Sequence, residues 1–471
     1  MNNHTQPSSG KPETSVAITF VAGARSVTGA NFLVEVKSSK KTTRVLIDVG
    51  LQQGERFCES SNSTPFPYSA GDIDAVFFTH AHADHIGLFP KLVKEGFQGK
   101  AYATPPTAAL MPVMLADSVS IITREAHHCG AEAPYTREDV DRALTLVHPL
   151  AYKEKVTVAD GLSVTLYNAG HILGSAMALV EAGGTRLLFT GDLGRTPAIL
   201  LPDPEVPPGD IDYLITESVY GNRQHENTEV SEGALLKSIQ RTVGQQGTLL
   251  IPSFSLERTQ IILAALDRFI AEKSIDPLPV FLDSPLATKV TDIYRQHSAY
   301  MRSDLKAQFA RGDDPFSFPR LHVTYTREDA KEIDETQGAK VIIAGAGMSH
   351  GGRIRSHEKT YLPDPNASLL LVGYQVPGSL GRRLQDGNKT VTIDKKKVKV
   401  RAKISKTGGF SAHADRDDLL KFAEKVNPKE VFVVLGDMEA SAFLAQRISG
   451  FLGIKTTVPQ KGEKVELQLK P

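Results

Sequence analysis

The chain has 471 residues, more than one ordinary core serves and enough for two domains of ordinary size. Hydrophobic residues at 41% and charged residues at 23% are globular values, so a large core can be buried. The formal net charge is zero, which excludes a strongly basic nucleic-acid binder and leaves any polyanion site to be local.

The first residues, MNNHTQPSSGKPETS, are polar and contain no apolar run, so a disordered tail over 1–14 is expected rather than a signal peptide. No stretch approaches the ~20 apolar residues that span a bilayer, and a cytoplasmic location without membrane contact is expected. Two cysteines occur, Cys58 and Cys129, neither in a CxxC pair. That argues against a disulfide scaffold and for buried or incidental thiols in a reducing compartment.

SVAITFVA, NFLVEVK and TRVLIDVG read as strands, and IDAVFFT (73–79) as another. ADHIGLFPKLVKEG then reads as a short helix, with Asp84 near its start and Gly96 past its end. LSVTLYNAGH, TRLLFTGDLG and IDYLITESVYG repeat one theme: a buried strand followed by glycine and polar residues. Sites in layered α/β folds form where strands end. Asp48, His80, His82, Asp84, His85, His171, Asp192 and Glu217 are therefore expected on one rim.

The texture changes after about residue 221. EVSEGALLKSIQRTVGQQG is an amphipathic helix; TLLIPSFS, LPVFLDSP, AKVIIAGAG and ASLLLVGYQ are strands among helices, as in βα units around a parallel sheet. KKVKVRAKISKTGGFSAHADRDDLLKFAEKV and KEVFVVLGD would complete the first domain. The expected division is 15–220 for its first part, 221–396 for an insertion and 397–471 for its second part.

The stretch FTHAHADHIG puts His80, His82, Asp84 and His85 into six consecutive positions. This is not the i, i+4 spacing of a helix-borne zinc pair; it needs a loop that folds back on a common centre. Imidazole suits zinc, and a carboxylate adds a harder ligand. One tetrahedral ion cannot take so many ligands from so short a loop, so two ions are the simpler reading. His171 and Asp192 would complete them, with Asp192 the natural bridge. Two such ions can hold a hydroxide and clamp the entering and leaving oxygens of a phosphoryl displacement.

HxHxDH, with Asp48 upstream and single His and Asp residues downstream, resembles the metallo-β-lactamase superfamily. ITESVYGNR, IPSFSLERTQ, DSPLA, GMSHGGR, GYQVPGSLGRRL and GGFSAHAD resemble its β-CASP branch, over about residues 15–450. Within the branch, the chain is similar to prokaryotic RNA-processing ribonucleases related to the endonuclease that cuts messenger-RNA 3′ ends. The resemblance implies an αββα sandwich with an inserted α/β (β-CASP) domain. It implies that His80, His82 and His171 bind one zinc, Asp84 and His85 another, and that Asp192 bridges them. Asp48 would orient a ligand histidine. His413 would donate a proton to the departing oxygen, with Glu217 holding it charged and oriented. Asp84 and Asp192 would share in the catalysis.

The branch usually places a further ligand histidine where VFVVLGDMEA has Leu435. Three consequences are open: a second ion bound more weakly, a substitute ligand from Asp437 or Glu439, or a single zinc and slow cutting. His350 and His357 are further, weaker substitutes. DNA-processing members of the branch also carry an aliphatic residue there.

On the substrate side, the glycines of GAGMSHGGRIRSH would let backbone N–H groups approach phosphate beside Arg353 and Arg355. Ser284, Lys289, Arg382 and Arg383 are further candidates. KKKVKVRAKISK (395–406) reads as a strand with one solvated face.

The expected function is a zinc-dependent ribonuclease that acts on single-stranded RNA as an endonuclease, with 5′-exonuclease action left open. Metal-activated water would leave 5′-phosphate and 3′-hydroxyl ends. The alternatives are a DNA nuclease with the same centre and an RNA-binding subunit weakened by Leu435. A homodimer is the expected assembly, from the resemblance alone.

Overall fold

The computed structural model describes residues 14–39, 41–54, 61–326 and 328–469. Residues 1–13 of the expected tail, and Cys58, lie outside the described residues.

Period-two alternation builds the first layers. In Ser15–Ala22, Val16, Ile18 and Phe20 point into a core shared with Val34 of Asn31–Lys37 and with Val45 and Ile47 of Thr42–Ile47. Branched and aromatic side chains at that spacing suit a pleated, buried face. The sheet has seven strands, ordered Lys464–Glu466, Ser15–Ala22, Asn31–Lys37, Thr42–Ile47, Ala75–Phe77, Lys100–Ala103 and Val147–Pro149.

A second seven-stranded sheet lies against it, ordered Lys455–Thr457, Glu430–Val433, Tyr213–Thr216, Thr185–Phe189, Ala176–Ala182, Leu162–Asn168 and Lys155–Ala159. Leu166, Val180, Phe189, Ile215 and Phe432 close the shared core from this side. The outward faces are also apolar, and helices cover them. Leu46 and Val76 cluster with Leu110 and Met111 of Pro105–His128. Leu188 and Leu214 cluster with Leu419 of Arg416–Val426 and Leu444 of Met438–Arg447. This is the αββα sandwich expected.

Pro105–His128 has 24 residues and is, among the described residues, the one helix long and apolar enough to cross a membrane by length and composition. Leu110, Leu115, Val119 and Ile122 of this helix are core residues. Cys129, at its C-terminal cap, is disulfide-bonded, contrary to the thiol expected.

The insertion is a six-stranded, wholly parallel sheet, ordered Leu321–Val323, Val280–Leu282, Lys340–Ala344, Thr248–Pro252, Ser368–Leu371 and Lys403–Lys406. Lys403–Lys406 pairs with Ser368–Leu371 at the edge of this sheet. A hairpin, Thr390–Ile393 with Lys396–Lys399, precedes this edge strand in the chain. Its lysines 396, 397 and 399 are exposed while Val398 is buried, and the single strand expected over 395–406 is two, Lys396–Lys399 here and Lys403–Lys406 in the parallel sheet.

The helix expected after His82 is two short helices, Ala83–Ile86 and Phe89–Lys94. Pro90 lies in the first turn of the second, where a missing N–H costs nothing.

Candidate metal centre

The strand Thr42–Ile47 ends at Asp48, whose backbone turns into the left-handed region at φ +61°. That turn aims a fully buried carboxylate back across the sheet end. Asp48 Oδ1 accepts from Thr79 N at 2.8 Å and Oδ2 from Thr79 Oγ1 at 2.7 Å. Oδ2 also lies 2.7 Å from His85 Nδ1. One carboxylate thus ties two neighbouring strand ends to an imidazole.

Backbone bonds fix the histidine loop. Val49 N donates to His85 O at 2.8 Å, and Leu51 N to Ala83 O at 3.0 Å. Gly50 sits between them, and a Cβ there would meet Asp84 O at 1.6 Å. Only glycine allows this approach.

The remaining groups arrive from the second sheet. His171 follows Leu162–Asn168, and its N donates to Ser175 Oγ at 2.9 Å. Asp192 follows Thr185–Phe189, and Glu217 follows Tyr213–Thr216. Ligand atoms of His80, His82, His171 and Asp192 all lie within 4.8 Å of one another. His80 Nε2 is 3.0 Å from His82 Nδ1 and 3.5 Å from Asp192 Oδ2. His171 Nε2 is 3.6 Å from the same oxygen. On the other side of the carboxylate, His85 Nε2 lies 3.3 Å from Asp192 Oδ1.

This donor set fits a cation. His85 Nε2 is buried, with no well-aligned hydrogen bond, and faces Asp192. Burial holds His80 and His171 well below the usual imidazole range and takes His82 down to about 3. The neutral imidazole is the form that ligates metal. Burial opposes charge on His85 too, but Asp192 and Asp48 outweigh it and hold its pKa high. Burial likewise works against Asp192, and the surrounding imidazoles, His85 first, keep it ionised. Asp84 stands in the first turn of Ala83–Ile86; burial raises its carboxyl, against the pull of His85.

A second constellation shares Asp192. His413 Nδ1 is 3.2 Å from Glu217 Oε1 and 3.9 Å from Asp192 Oδ2. Glu217 Oε1 also accepts from Leu193 N at 2.6 Å, and Oε2 from Val219 N at 3.2 Å. Burial raises the Glu217 carboxyl, and His413 opposes that. Burial resists charge on His413, yet Glu217 and then Asp192 raise it above the usual imidazole range. His413 does not cap the helix Arg416–Val426. Asp415 does, accepting from Asp417 N and Asp418 N.

Leu435 is 1% exposed at φ +49° and belongs to the core between the sheets. Its Cδ2 lies so close to Gly23 that a Cβ there would stand 2.9 Å away. Neither carboxylate beside it is idle. Asp437 caps Met438–Arg447 by accepting from Ala440 N at 2.8 Å, and Glu439 Oε1 accepts from Asn222 Nδ2 at 3.3 Å.

The phosphate candidates stand in the insertion and are engaged there. Arg353 Nη1 pairs with Asp283 Oδ1 at 2.6 Å, and His357 Nε2 lies 2.7 Å from Oδ2. Arg355 Nη2 pairs with Asp394 Oδ1 at 2.7 Å. Ser284 caps Pro285–Gln296 and lies 3.4 Å from Ser255 Oγ. These contacts run within the insertion rather than to the histidine cluster.

Thr79 is part of this polar cluster although no motif marks it. Its hydroxyl donates to Asp48 and lies 3.0 Å from His80 Nδ1. The signal was its place directly before His80.

Comparison with known proteins matches three family models: a metallo-beta-lactamase superfamily domain over 38–196, a Beta-Casp domain over 259–384, and a Zn-dependent metallo-hydrolase RNA specificity domain over 397–459. The chain is 35% identical to Ribonuclease TTHA0252 of Thermus thermophilus, over 94% of this chain and 98% of that protein. It is 32% identical to Transcription termination factor FttA of Methanosarcina mazei, over 96% and 72% respectively. It is 31% identical to Cleavage and polyadenylation specificity factor subunit 3 of Dictyostelium discoideum, over 85% and 51%. A crystal structure of a protein of unknown function from Enterococcus faecalis shares the fold, with a TM-score of 0.57 and 14% identity over 96% of this chain and all of that one.

Proposed function

The chain belongs to the β-CASP branch of the metallo-β-lactamase superfamily, and on that premise we propose that it is a metal-dependent ribonuclease. The observation that carries this reading is the packing of His80, His82, His171 and Asp192 around one point, beside the Glu217–His413 pair. His80, His82 and His171 would hold one zinc and Asp84 and His85 a second, with Asp192 available to either. When bound, zinc supplies a low-pKa water as nucleophile and positive charge against the phosphodiester.

The chain's own residues do the rest. Asp48 fixes the direction and tautomer of His85 through their 2.7 Å contact. His413, kept protonated beside Glu217, delivers a proton to the departing 3′ oxygen. The products are then 5′-phosphate and 3′-hydroxyl ends. The substrate assigned is single-stranded RNA, cut endonucleolytically and, from a free end, 5′-exonucleolytically, by a homodimer in the cytoplasm. Ser284 is the better-placed phosphate contact, because Arg353 and Arg355 already hold carboxylates.

Leu435 favours a second reading: the site of Asp84 and His85 holds its ion more weakly than the site of His80, His82 and His171. A matched pair of RNA and DNA oligonucleotides tests the main reading, with zinc present. RNA is cut and the DNA counterpart is not; the reverse preference makes the chain a DNA nuclease, and binding without cleavage makes it an RNA-binding subunit.

A further inference from the structure

Glu257 is buried, and its backbone is strained, with φ +65° and ψ −55°. Arg258 N donates to Leu256 O at 2.9 Å across it, which closes a γ-turn of the rare hand. Such strain persists where surrounding contacts hold it, and it collects at functional positions. Tyr294 donates its hydroxyl to Glu257 Oε2 and accepts from Leu173 N at 3.3 Å. The insertion therefore grips the loop that carries His171.

Glu257 and His171 also line one small cavity with Arg195 and Ser411. About 10 Å³ of it is open to the centre of a water molecule, room for about one water. Three of its lining residues each bury an atom with no hydrogen-bond partner: His171 Nδ1, Arg195 Nε and Ser411 Oγ. His171 Nε2 faces Asp192 and His82, so its proton belongs on Nδ1. The residues lining the cavity carry two N–H donors, and a carboxyl and a hydroxyl that can accept. One water can accept twice and donate twice, and so satisfies all four.

We propose that Glu257 is a positioning residue for His171. Through a water held in this cavity it fixes the Nδ1–H tautomer and the ring direction, so that the insertion domain sets one ligand of the metal centre. The inference rests on the assignment of His171 as a ligand.

The test is zinc affinity, by competition with a chromophoric chelator on the full chain. Glu257→Ala is expected to weaken zinc binding by about 10- to 100-fold at unchanged circular dichroism. Glu257→Gln, which keeps an acceptor oxygen, restores most of it. His171→Ala serves as the control. If it binds zinc as wild type does, the metal assignment itself fails. If His171→Ala loses zinc while Glu257→Ala binds normally, the positioning role is overturned and the metal assignment stands. Should Glu257→Ala not fold, Tyr294→Phe decides by the same titration: a several-fold loss supports the role, and none overturns it.

Discussion

His413 Nδ1 stands 3.2 Å from Glu217 Oε1, and Glu217 is wholly buried at the end of a strand of the second sheet. Two segments almost 200 residues apart meet there, beside Asp192. An imidazole held charged at that point is able to donate a proton, the role proposed for it. His413→Ala is expected to lower kcat by about 10²- to 10⁴-fold. Zinc content and RNA affinity stay near wild type, as inductively coupled plasma mass spectrometry and filter binding would show. Undiminished turnover would remove His413 from the chemistry.

The same pair sets a pH limb. Glu217 and Asp192 raise His413 against burial, so it keeps its proton above the ordinary imidazole value of about 6.5. Activity that needs the protonated ring falls as pH rises through that raised value. Glu217→Gln removes the main supporting charge, leaves burial to act, and moves the alkaline limb to lower pH. A kcat–pH profile that is unmoved in the variant contradicts the assignment.

The strand ends were open to a sequence reading because a polar residue there has no use for the core. Asp48, His80, Asp192 and Glu217 each follow an apolar strand, and each stands at the rim expected. What was illegible depends on distant partners. Arg353 looks available in GMSHGGR, but Asp283, 70 positions earlier, already holds it. Lys403–Lys406 has little apolar character, so its membership of the insertion sheet rests on pairing with Ser368–Leu371 alone. The departure at Leu435 was visible only against the motif usual in the branch that the chain resembles; its packing on Gly23 was not visible at all.

Asp283 gives a prediction about stability. Burial works against its charge, but His357, Thr324 and Arg353 hold its carboxyl down to about 2. The stabilisation is present in full above the unfolded carboxyl value of about 3.9 and is lost as pH falls toward the folded value. Arg353→Ala, by unpairing a buried charge, is expected to cost about 2–4 kcal/mol at pH 7 in urea unfolding. RNA affinity in that variant would show little change in salt dependence. A steep loss of salt dependence with no loss of stability would make Arg353 a phosphate contact after all.

Leu435→His tests the altered position. The side chain packs in the core against Gly23, so an imidazole there should cost the metal-free protein about 1–3 kcal/mol. Zinc bound per chain should rise, because a donor joins Asp84, His85 and Asp192. A destabilised variant whose zinc content is unchanged would show that Leu435 does not face the metals.

The proposed chemistry requires zinc at the lip of the sandwich. Anomalous diffraction at the zinc edge, from crystals grown with the metal, addresses it directly. One strong peak is predicted within bonding distance of His80, His82, His171 and Asp192, and a weaker one at Asp84, His85 and Asp192. A map with no peak among these side chains, under saturating zinc, would contradict the assignment.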